Sequence, residues 1–520
     1  MKVRVGTSAA RLKEGVWALD IVGMGAAQIA QRIRDGQISS VEAVEEHIRR
    51  AERVEPQVNA IAVRRFEEAI DEAKHADALR ASGASLGPLH GVPITIKECF
   101  DLEGTASTAG VQALSARIAT VDAPTVSRLR RAGAIVLGKT NLSQLIWFND
   151  SDNPLFGRTN NPWDISRGPG GSSGGPAAAV ASGSSALDLG TDSGGSIRQP
   201  AHSCGVHGLK PTTGRLSSVG TVDSLILYGR DLVPNQPGPM ARTVADLALS
   251  MKVLANPSMD SEDPSVPPVE LRDIGSISVR GLRVGFFSEL PDCRTSPAVR
   301  RAVNEAAEAL TGLGAILEPF QPPHIAEAIR IHRAAFGGDG CATLLKLLGT
   351  SPRSHRMEDL FARKQRLPLS TNEYWQLVGD RTLYTTRFIA ELNERGLDAL
   401  ICPPSAVPAL PHDYSDDAIE AAQDFTKLFN VVGLPAGVIA ATRVREHEES
   451  TATTASSVEP PSRAVDINSA GLPVGVQVAA RLWREDVVLA VMAALEQHFS
   501  TSADYPLSIP PVVRNRDFAP

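Results

Sequence analysis

The chain has 520 residues, of which 42% are hydrophobic and 21% are charged, and its formal net charge is −7. This is ordinary usage for a globular protein. The acidic balance and the lack of a basic stripe argue against a nucleic-acid partner, and because no stretch of about 20 apolar residues occurs, we expect no membrane span.

Residues 1–23 are predicted to be an N-terminal extension of uncertain structure. Its start, MKVRVGTSAARLKEG, has no apolar segment of the kind that a secretory signal needs. The odd number of cysteines and the absence of C-x-x-C spacing predict buried thiols in a reducing compartment. We therefore expect a cytoplasmic protein. The five cysteines are Cys99, Cys204, Cys293, Cys341 and Cys402.

The first third of the chain alternates between helical and strand-like patterns. Helical periodicity is broken at Asp35-Gly36, and Ser39 or Ser40 is a plausible N-cap after the break. This alternation favours a wound α/β sheet. The predicted helices cover residues 26–53, 64–81 and 124–132, and the predicted strands cover residues 92–96 and 135–137.

Lys97 ends the apolar run VPITI. A charged residue at the end of a strand is often simply exposed to solvent, and that interpretation stays open here. A lysine buried in apolar surroundings can instead have its pKa lowered by up to ~3–5 units. Such a lysine could act as a base near neutral pH.

The segment from Gly168 to Arg215 holds two serines flanked by glycine: Ser172 in GGSSGG and Ser196 in DSGGSIR. Glycine lets successive backbone N–H groups converge on one point, where they can stabilise an oxyanion beside a nucleophilic serine. A flexible linker is the alternative interpretation. The following residues, PAAAVA at 176–181, predict a buried helix and argue against it.

A second alternative is the G-x-S-x-G elbow of α/β-hydrolases, whose pattern is met by Gly171, Ser173 and Gly175. That elbow follows directly on an apolar strand. The preceding residues, NPWDISRGPG, contain Pro162 and Pro169, which lack the donors of a central strand. A Ser-His-Asp triad therefore remains a weaker alternative.

The second half of the chain gives fewer signals. LRVGFF at 282–287 predicts a strand, with Ser296 as the cap of the next helix. Residues of about 322–395 are predicted to be mostly helical, either as a lid-like wall of a pocket or as an ordinary packing layer. The polar, low-complexity residues 446–463 predict a flexible surface loop between two strands.

Several motifs occur together in a defined order. TDSGGSIR places Ser196 24 positions after Ser172, CGVHGLKPT follows, and PLHGVPITIKECF precedes. Together they resemble the amidase signature family over about residues 24–500. NPLFGRTNNPW at 153–163 is similar to the branch that holds fatty-acid amide hydrolases and acetamidases.

The resemblance implies an α/β/α fold with a mixed central β-sheet and helices on both sides. It also implies a single catalytic domain over residues 24–510, with the signature core at 90–215, and no metal or organic cofactor. No histidine shows metal-ligand spacing such as H-E-x-x-H.

The resemblance further implies the roles of the site residues. Ser196 would be the nucleophile, Ser172 would relay protons, and Lys97 would act as the base. A cis peptide is expected between Gly171 and Ser172. The oxyanion would be held by the backbone N–H groups of Ser193, Gly194, Gly195 and Ser196.

Two further pairs of residues each allow two interpretations. Asp192 and Arg198 flank the Ser196 loop; a supporting ion pair is favoured over a substrate contact for Arg198. Trp147 and Phe148 could form an acyl wall, although apolar core is the simpler interpretation. Packing is also the simpler role for Cys204.

Three functions are compatible with these features. The first is hydrolysis of a small-molecule amide, with aryl amides, fatty amides, carbamates and esters as candidate substrates. The second is the amidase-type subunit of a tRNA-dependent amidotransferase, and the third is a non-catalytic anion-binding protein. These motifs determine neither the acyl nor the amine group, and they leave a homodimer open.

Overall fold

An 11-stranded sheet runs through the protein. The computed structural model describes residues 21–222, 232–255, 261–363, 368–412, 414, 422–449, 465–506 and 509–510. A separate two-stranded sheet is formed by β4 and β5. The strands are β1 (Ile61–Arg64), β2 (Pro93–Lys97), β3 (Ile135–Thr140), β4 (Asp152–Asn153), β5 (Gly157–Arg158), β6 (Leu187–Asp192), β7 (His207–Lys210), β8 (Gln236–Ala241), β9 (Arg283–Phe286), β10 (Ile316–Pro319), β11 (Ala399–Cys402), β12 (Ala436–Arg443) and β13 (Pro473–Ala480).

The strand order in the large sheet is β1-β3-β2-β6-β8-β7-β12-β13-β11-β9-β10. Strand β2 pairs in parallel with β3 and β6, and β9 pairs in parallel with β10 and β11. The other pairs are antiparallel. The sheet is therefore mixed, and with its flanking helices it confirms the predicted α/β class.

Helices flank this sheet along its length. Among the described residues, none is both long and apolar enough to cross a bilayer. The α-helices are Ala26–Arg34, Ser40–Val58, Phe66–Ala81, Pro124–Arg131, Gly174–Ser182, Arg198–Cys204, Val244–Leu254, Pro297–Gly312, Ile325–Phe336, Ala342–Leu348, His355–Arg363, Thr371–Glu394, Asp424–Val431 and Glu485–Phe499.

The N-terminal helices differ from the prediction in their bounds. Ser39 is the N-cap of the second helix and forms a capping box with Glu42, which satisfies backbone donors at that end. The helix continues to Val58 and ends at Asn59, which adopts a left-handed conformation. Strand β1 follows, although the sequence pattern does not predict it. Residues 1–20 of the predicted extension lie outside the described residues.

The apolar interior is divided into two large clusters. One surrounds the central strands and packs against helices Pro297–Gly312 and Glu485–Phe499. The other is rich in aromatic residues and lies between helices Ile325–Phe336, Thr371–Glu394 and Asp424–Val431. Four helices lie within the predicted helical region of about 322–395, and the first and last of them contribute to this second cluster, whereas the middle two contribute to the first; residues 364–367 lie outside the described residues.

The predicted loop at 446–463 lies between β12 and β13, as expected. Its first residues differ from the prediction, because Glu446–Glu448 forms a short 3-10 turn. The Glu448 carboxylate is buried and lies 2.6 Å from Arg301 Nε, so an ion pair fixes the start of the segment. Residues 450–463 lie outside the described residues.

Candidate active site

Lys97 lies at the end of β2, whose five residues are all buried. Its Nζ atom is 2.8 Å from Ser172 Oγ and 2.8 Å from Thr191 Oγ1. The Lys97 side chain is fully buried, so the solvent-exposed alternative is wrong. The fold thus brings two of the predicted catalytic residues into contact. Thr191 is an addition to the predicted site, and its only sequence signal is that it directly precedes the Asp192 of the second serine motif.

The loop before Ser172 is held by close backbone packing. The Gly171–Ser172 peptide is cis, and the Gly171 amide donates to Asn149 Oδ1 at 2.8 Å. A Cβ atom on Gly171 would overlap the Asp150 carbonyl oxygen. Only glycine fits at this position, which explains one glycine of the GGSSGG motif.

The two serine loops are joined to each other. The Ser173 amide donates to the Ser196 carbonyl at 3.1 Å, and Ser173 Oγ donates to the Thr191 carbonyl at 3.2 Å. Ser173 is fully buried, whereas Ser196 is partly exposed. Residues 161–170 form turns and take part in two isolated bridges instead of a strand. This arrangement does not fit a nucleophile elbow at Ser173.

Arg198 is buried and supports the Ser196 loop. Its Nε and Nη2 atoms donate to the two oxygens of Asp192 at 2.9 and 2.8 Å. The remaining donors reach Gln477 Oε1, Asn430 Oδ1 and the Thr426 carbonyl. All five N–H groups of the guanidinium are therefore used within the protein. This geometry supports the loop-supporting interpretation of the Asp192–Arg198 pair.

The charge of Asp192 is stabilised by this network. Burial alone would raise the pKa of Asp192, but the Arg198 guanidinium and the Asn430 amide hold it well below its usual value. Asp192 therefore remains a carboxylate at neutral pH. Its fixed charge orients the backbone of the following residues.

The predicted oxyanion-binding amides need one correction. The Gly195 N–H donates to Asp192 Oδ1 at 2.9 Å, so that donor is already engaged. The geometry leaves Ser193, Gly194 and Ser196 as the predicted donor set. Their binding of an oxyanion stays a prediction.

An aromatic chain links Trp147 to the serine loop. The Trp147 ring meets Phe336 edge-on with centroids 5.7 Å apart, and Phe336 stacks on His332 at 4.5 Å. His332 Nε2 is 2.9 Å from the Ser193 carbonyl oxygen. Helix Ile325–Phe336 therefore reaches the Ser196 loop, and His332 is not predicted because nothing in its local sequence distinguishes it. Trp147 and Phe148 are both partly buried against the core.

A cavity of about 440 Å³ lies next to the segments that carry the two serine motifs. It reaches the Ser172 loop at Asn149 and Gly170 and the helix after Ser196 at Gln199 and Ser203. Arg356 also lines it and forms an ion pair with Asp150, with Nε 2.8 Å from Oδ2. The cavity therefore lies between residues that flank the serine motifs and the predicted lid-like region, and Lys97, Ser172 and Ser196 are not among its lining residues.

The structure also shows the surroundings of the cysteines and the grouping of side chains that could bind a metal. All five cysteines are buried and are present as thiols. Burial raises the pKa of the Cys204 thiol far above its usual value, which agrees with a packing role. In the part of the chain that the structure describes, no three His, Cys, Asp or Glu side chains are grouped as metal ligands would be.

Comparisons with known proteins identify the family. The model of the family named Amidase matches residues 42–489. Fatty-acid amide hydrolase 1 of Sus scrofa is 32% identical over 502 residues, covering 90% of this chain and 85% of that protein. One subunit of the Glutamyl-tRNA(Gln) amidotransferase of Synechococcus sp. (strain CC9902) is 33% identical over 498 residues, covering 90% of this chain and 94% of that protein.

The fold agrees with these matches. A solved structure of a fatty acid amide hydrolase superposes with a TM-score of 0.84 at 27% identity, covering 92% of this chain and 86% of that one. The chain belongs to the amidase family, as its serine motifs predicted. It is an amide-hydrolysing enzyme, and the non-catalytic alternative is not supported.

Proposed function

We propose that the protein hydrolyses a carboxylic amide to an acid and an amine through an acyl-enzyme on Ser196. The observation that carries this proposal is the contact of 2.8 Å between Lys97 Nζ and Ser172 Oγ. The contact is buried, and the neighbouring Ser196 is partly exposed. A base, a relay and an accessible nucleophile are the parts that metal-free acyl transfer requires.

The proposed reaction begins at Ser196. Its Oγ atom attacks the amide carbon while its proton passes to Ser172, and the Ser172 proton passes to the neutral amine of Lys97. The oxyanion is stabilised by backbone N–H groups of the Ser196 loop. The relay then runs in reverse, so that Ser172 protonates the nitrogen and the C–N bond breaks. Water hydrolyses the ester by the same relay.

The site supports an apolar acyl group. Trp147 and Phe336 meet edge-on and are partly buried, and Phe336 stacks on the buried His332, whose Nε2 lies next to the Ser193 carbonyl. Aryl or extended alkyl acyl groups are the proposed substrates, because such groups bury large areas against aromatic rings. The carbamates and esters considered above remain part of this proposal.

The first test is the identity of the nucleophile. A fluorophosphonate should label Ser196, and peptide mass mapping should find the label there in the wild type and lose it in Ser196→Ala. Ser173→Ala is the matched control because Ser173 belongs to the neighbouring serine loop and is fully buried. A label on Ser173 would contradict the proposal.

The second test concerns the relay. Lys97→Met should greatly slow amide hydrolysis while sparing activated esters, whose leaving groups need less protonation. Lys139→Met is the matched control, since Lys139 is also a buried lysine but donates to the Ala106 carbonyl and Ser107 instead of a catalytic serine. Wild-type amide turnover in Lys97→Met, with an unchanged pH profile, would refute the mechanism.

The amidotransferase component is the second candidate, and its support is the 33% identity to one subunit of a Glutamyl-tRNA(Gln) amidotransferase over most of the chain. Such a component would depend on its complex for its physiological reaction. Purifying this chain alone and measuring hydrolysis of simple amides separates the two. Efficient hydrolysis without a partner supports the stand-alone enzyme, and activity that appears only with a partner complex supports the amidotransferase component.

A further inference from the structure

A buried carboxyl group lies beside Lys97 and has no part in the chemistry described above. Asp188 is on β6 and is 1% exposed. Its Oδ2 atom accepts hydrogen bonds from Thr95 Oγ1 at 2.5 Å and from Thr140 Oγ1 at 3.1 Å. Its Oδ1 atom has no hydrogen-bond partner among the described residues. A buried polar oxygen without a partner is costly, and it calls for an explanation.

The strand register places this carboxyl on the same face as the catalytic lysine. Thr95 lies two residues before Lys97 on β2, so their side chains share a face. Asp188 is paired with Thr95 across one edge of β2, and Thr140 is paired with Lys97 across the other. The two hydroxyls that hold Asp188 therefore belong to the immediate neighbours of Lys97.

The two groups interact through charge. Burial raises the pKa of Asp188 to about 7, and the Thr95 and Thr140 hydroxyl groups, the Leu189 amide and the charge of Lys97 oppose this shift. Asp188 therefore changes its charge near neutral pH. A carboxylate at this position favours the ammonium form of Lys97, and a protonated carboxyl does not.

The other titratable groups around these strands have separate partners. Helix Gly174–Ser182 packs against β2 and β6 and contains no titratable side chain, and strand β8 contains none either. Burial lowers the pKa of His47 to about 3, so its ring is neutral in the working range. The remaining buried groups on neighbouring elements bind elsewhere: Arg50 to the Ser182 carbonyl, Glu55 to the Ala60 and Ile61 amides, Lys139 to the Ala106 carbonyl, and Arg242 to the Val180 and Ser185 carbonyls.

We propose that Asp188 is a positioning residue for amide hydrolysis: its buried carboxyl, held by Thr95 and Thr140, controls whether the Lys97 amine carries a proton. The inference rests on the proposed role of Lys97 as the base. Two coupled groups lose their protons in two steps that belong to the pair. The acid limb of the pH–rate profile would accordingly report both Lys97 and Asp188.

The test is the pH profile of kcat/KM for Asp188→Asn. Asparagine keeps the shape and can still accept from the two hydroxyls, but it carries no charge. The Lys97 amine should then be neutral at lower pH, and the acid limb should move down by about one pH unit, a tenfold rate gain on that limb. The acid limb of the variant should also fit a single ionisation instead of two. A merely structural role would not move it in this direction.

Asp246→Asn is the matched control. Asp246 is also 1% exposed and its pKa is also raised by burial, but it accepts from the Ala27 amide and interacts with Arg242. This variant should leave the acid limb unchanged. If Asp188→Asn does not fold, Thr95→Val offers a second route, since loss of one hydroxyl donor disfavours the Asp188 carboxylate and should move the limb in the same direction.

The outcomes separate the two proposals. If Lys97→Met is inactive toward amides while Asp188→Asn and Thr95→Val keep the wild-type limb, the role of Asp188 is refuted and the proposed function stands. If Lys97→Met retains the wild-type profile, the proposed function itself fails. A downward shift in Asp188→Asn, absent in Asp246→Asn, supports the inference.

Discussion

Replacing Arg198 by methionine should destabilise the protein and also disorder the Ser196 loop. Methionine keeps much of the side-chain length but none of the five donors. Leaving Asp192 as a buried charge without its partner costs about 3–5 kcal/mol. Three more acceptors, on Gln477, Asn430 and Thr426, lose a donor at about 1 kcal/mol or more each. Together these losses lower the free energy of unfolding by about 6–8 kcal/mol.

The assay measures the urea midpoint of unfolding and kcat for each variant. A second buried ion pair provides the control. Arg215 and Glu485 form an ion pair of 2.8 Å whose side chains are 2% and 0% exposed. Arg215→Met should lower the urea midpoint to a similar extent, because Glu485 also becomes a buried, unpaired charge. It should keep its kcat when folded. Arg198→Met should lose kcat even in the folded protein, since the Gly195 amide depends on the orientation of Asp192.

Two results would refute this reasoning. If folded Arg198→Met retained the wild-type kcat, the guanidinium would not be needed to orient the Ser196 loop. If its urea midpoint matched that of the wild type, other groups would stabilise the buried Asp192 charge, and the Arg198 network would contribute little to the free energy of unfolding.

Specificity, thiol reactivity, metal independence and acid stability can each be tested as well. Trp147→Ala should lower kcat/KM for aryl amides roughly tenfold more than for acetamide, measured by product release, and an equal loss for both would exclude a specificity role. Cys204 should react with iodoacetamide at pH 8 only after unfolding, since burial raises its thiol pKa; rapid labelling of the native protein would contradict its buried position. EDTA should leave amide hydrolysis unchanged, and loss of activity restored by zinc would overturn the serine–lysine chemistry. Because Arg198 holds the pKa of Asp192 below its usual value, the stability from this pair is present above about pH 4 and lost as the pH falls below it. In Asp192→Asn the urea midpoint should therefore depend less on pH below about pH 4, and a pH dependence equal to that of the wild type would contradict this linkage.

The parts of the fold that the sequence predicts are those with local signals. The buried strand ending at Lys97 shows as an apolar run, and the helix after GGSSGG shows as PAAAVA. Ser39 is recognisable as a cap because Glu42 follows at the spacing of a capping box. Strand β1 escapes prediction because its four residues, IAVR, are too few to show a period.

The rest of the site depends on contacts between distant parts of the chain. Gln477 and Asn430 reach Arg198 across more than 230 residues, and neither lies in a motif that points to this role. His332 reaches the Ser193 carbonyl from a helix whose sequence is ordinary. The engagement of the Gly195 amide by Asp192 is likewise a matter of loop conformation, which composition does not reveal.

The long sequence separation between Arg198 and its partners has a consequence for folding during synthesis on the ribosome. Lys97, Ser172 and Ser196 are all synthesised in the first 200 residues, but the guanidinium that supports the Ser196 loop finds its last partner, Gln477, only when strand β13 has emerged. Until then the loop has no complete support. If the proposed roles hold, a nascent chain carries all three reacting groups before it can cleave an amide, and activity appears only when the sheet is complete.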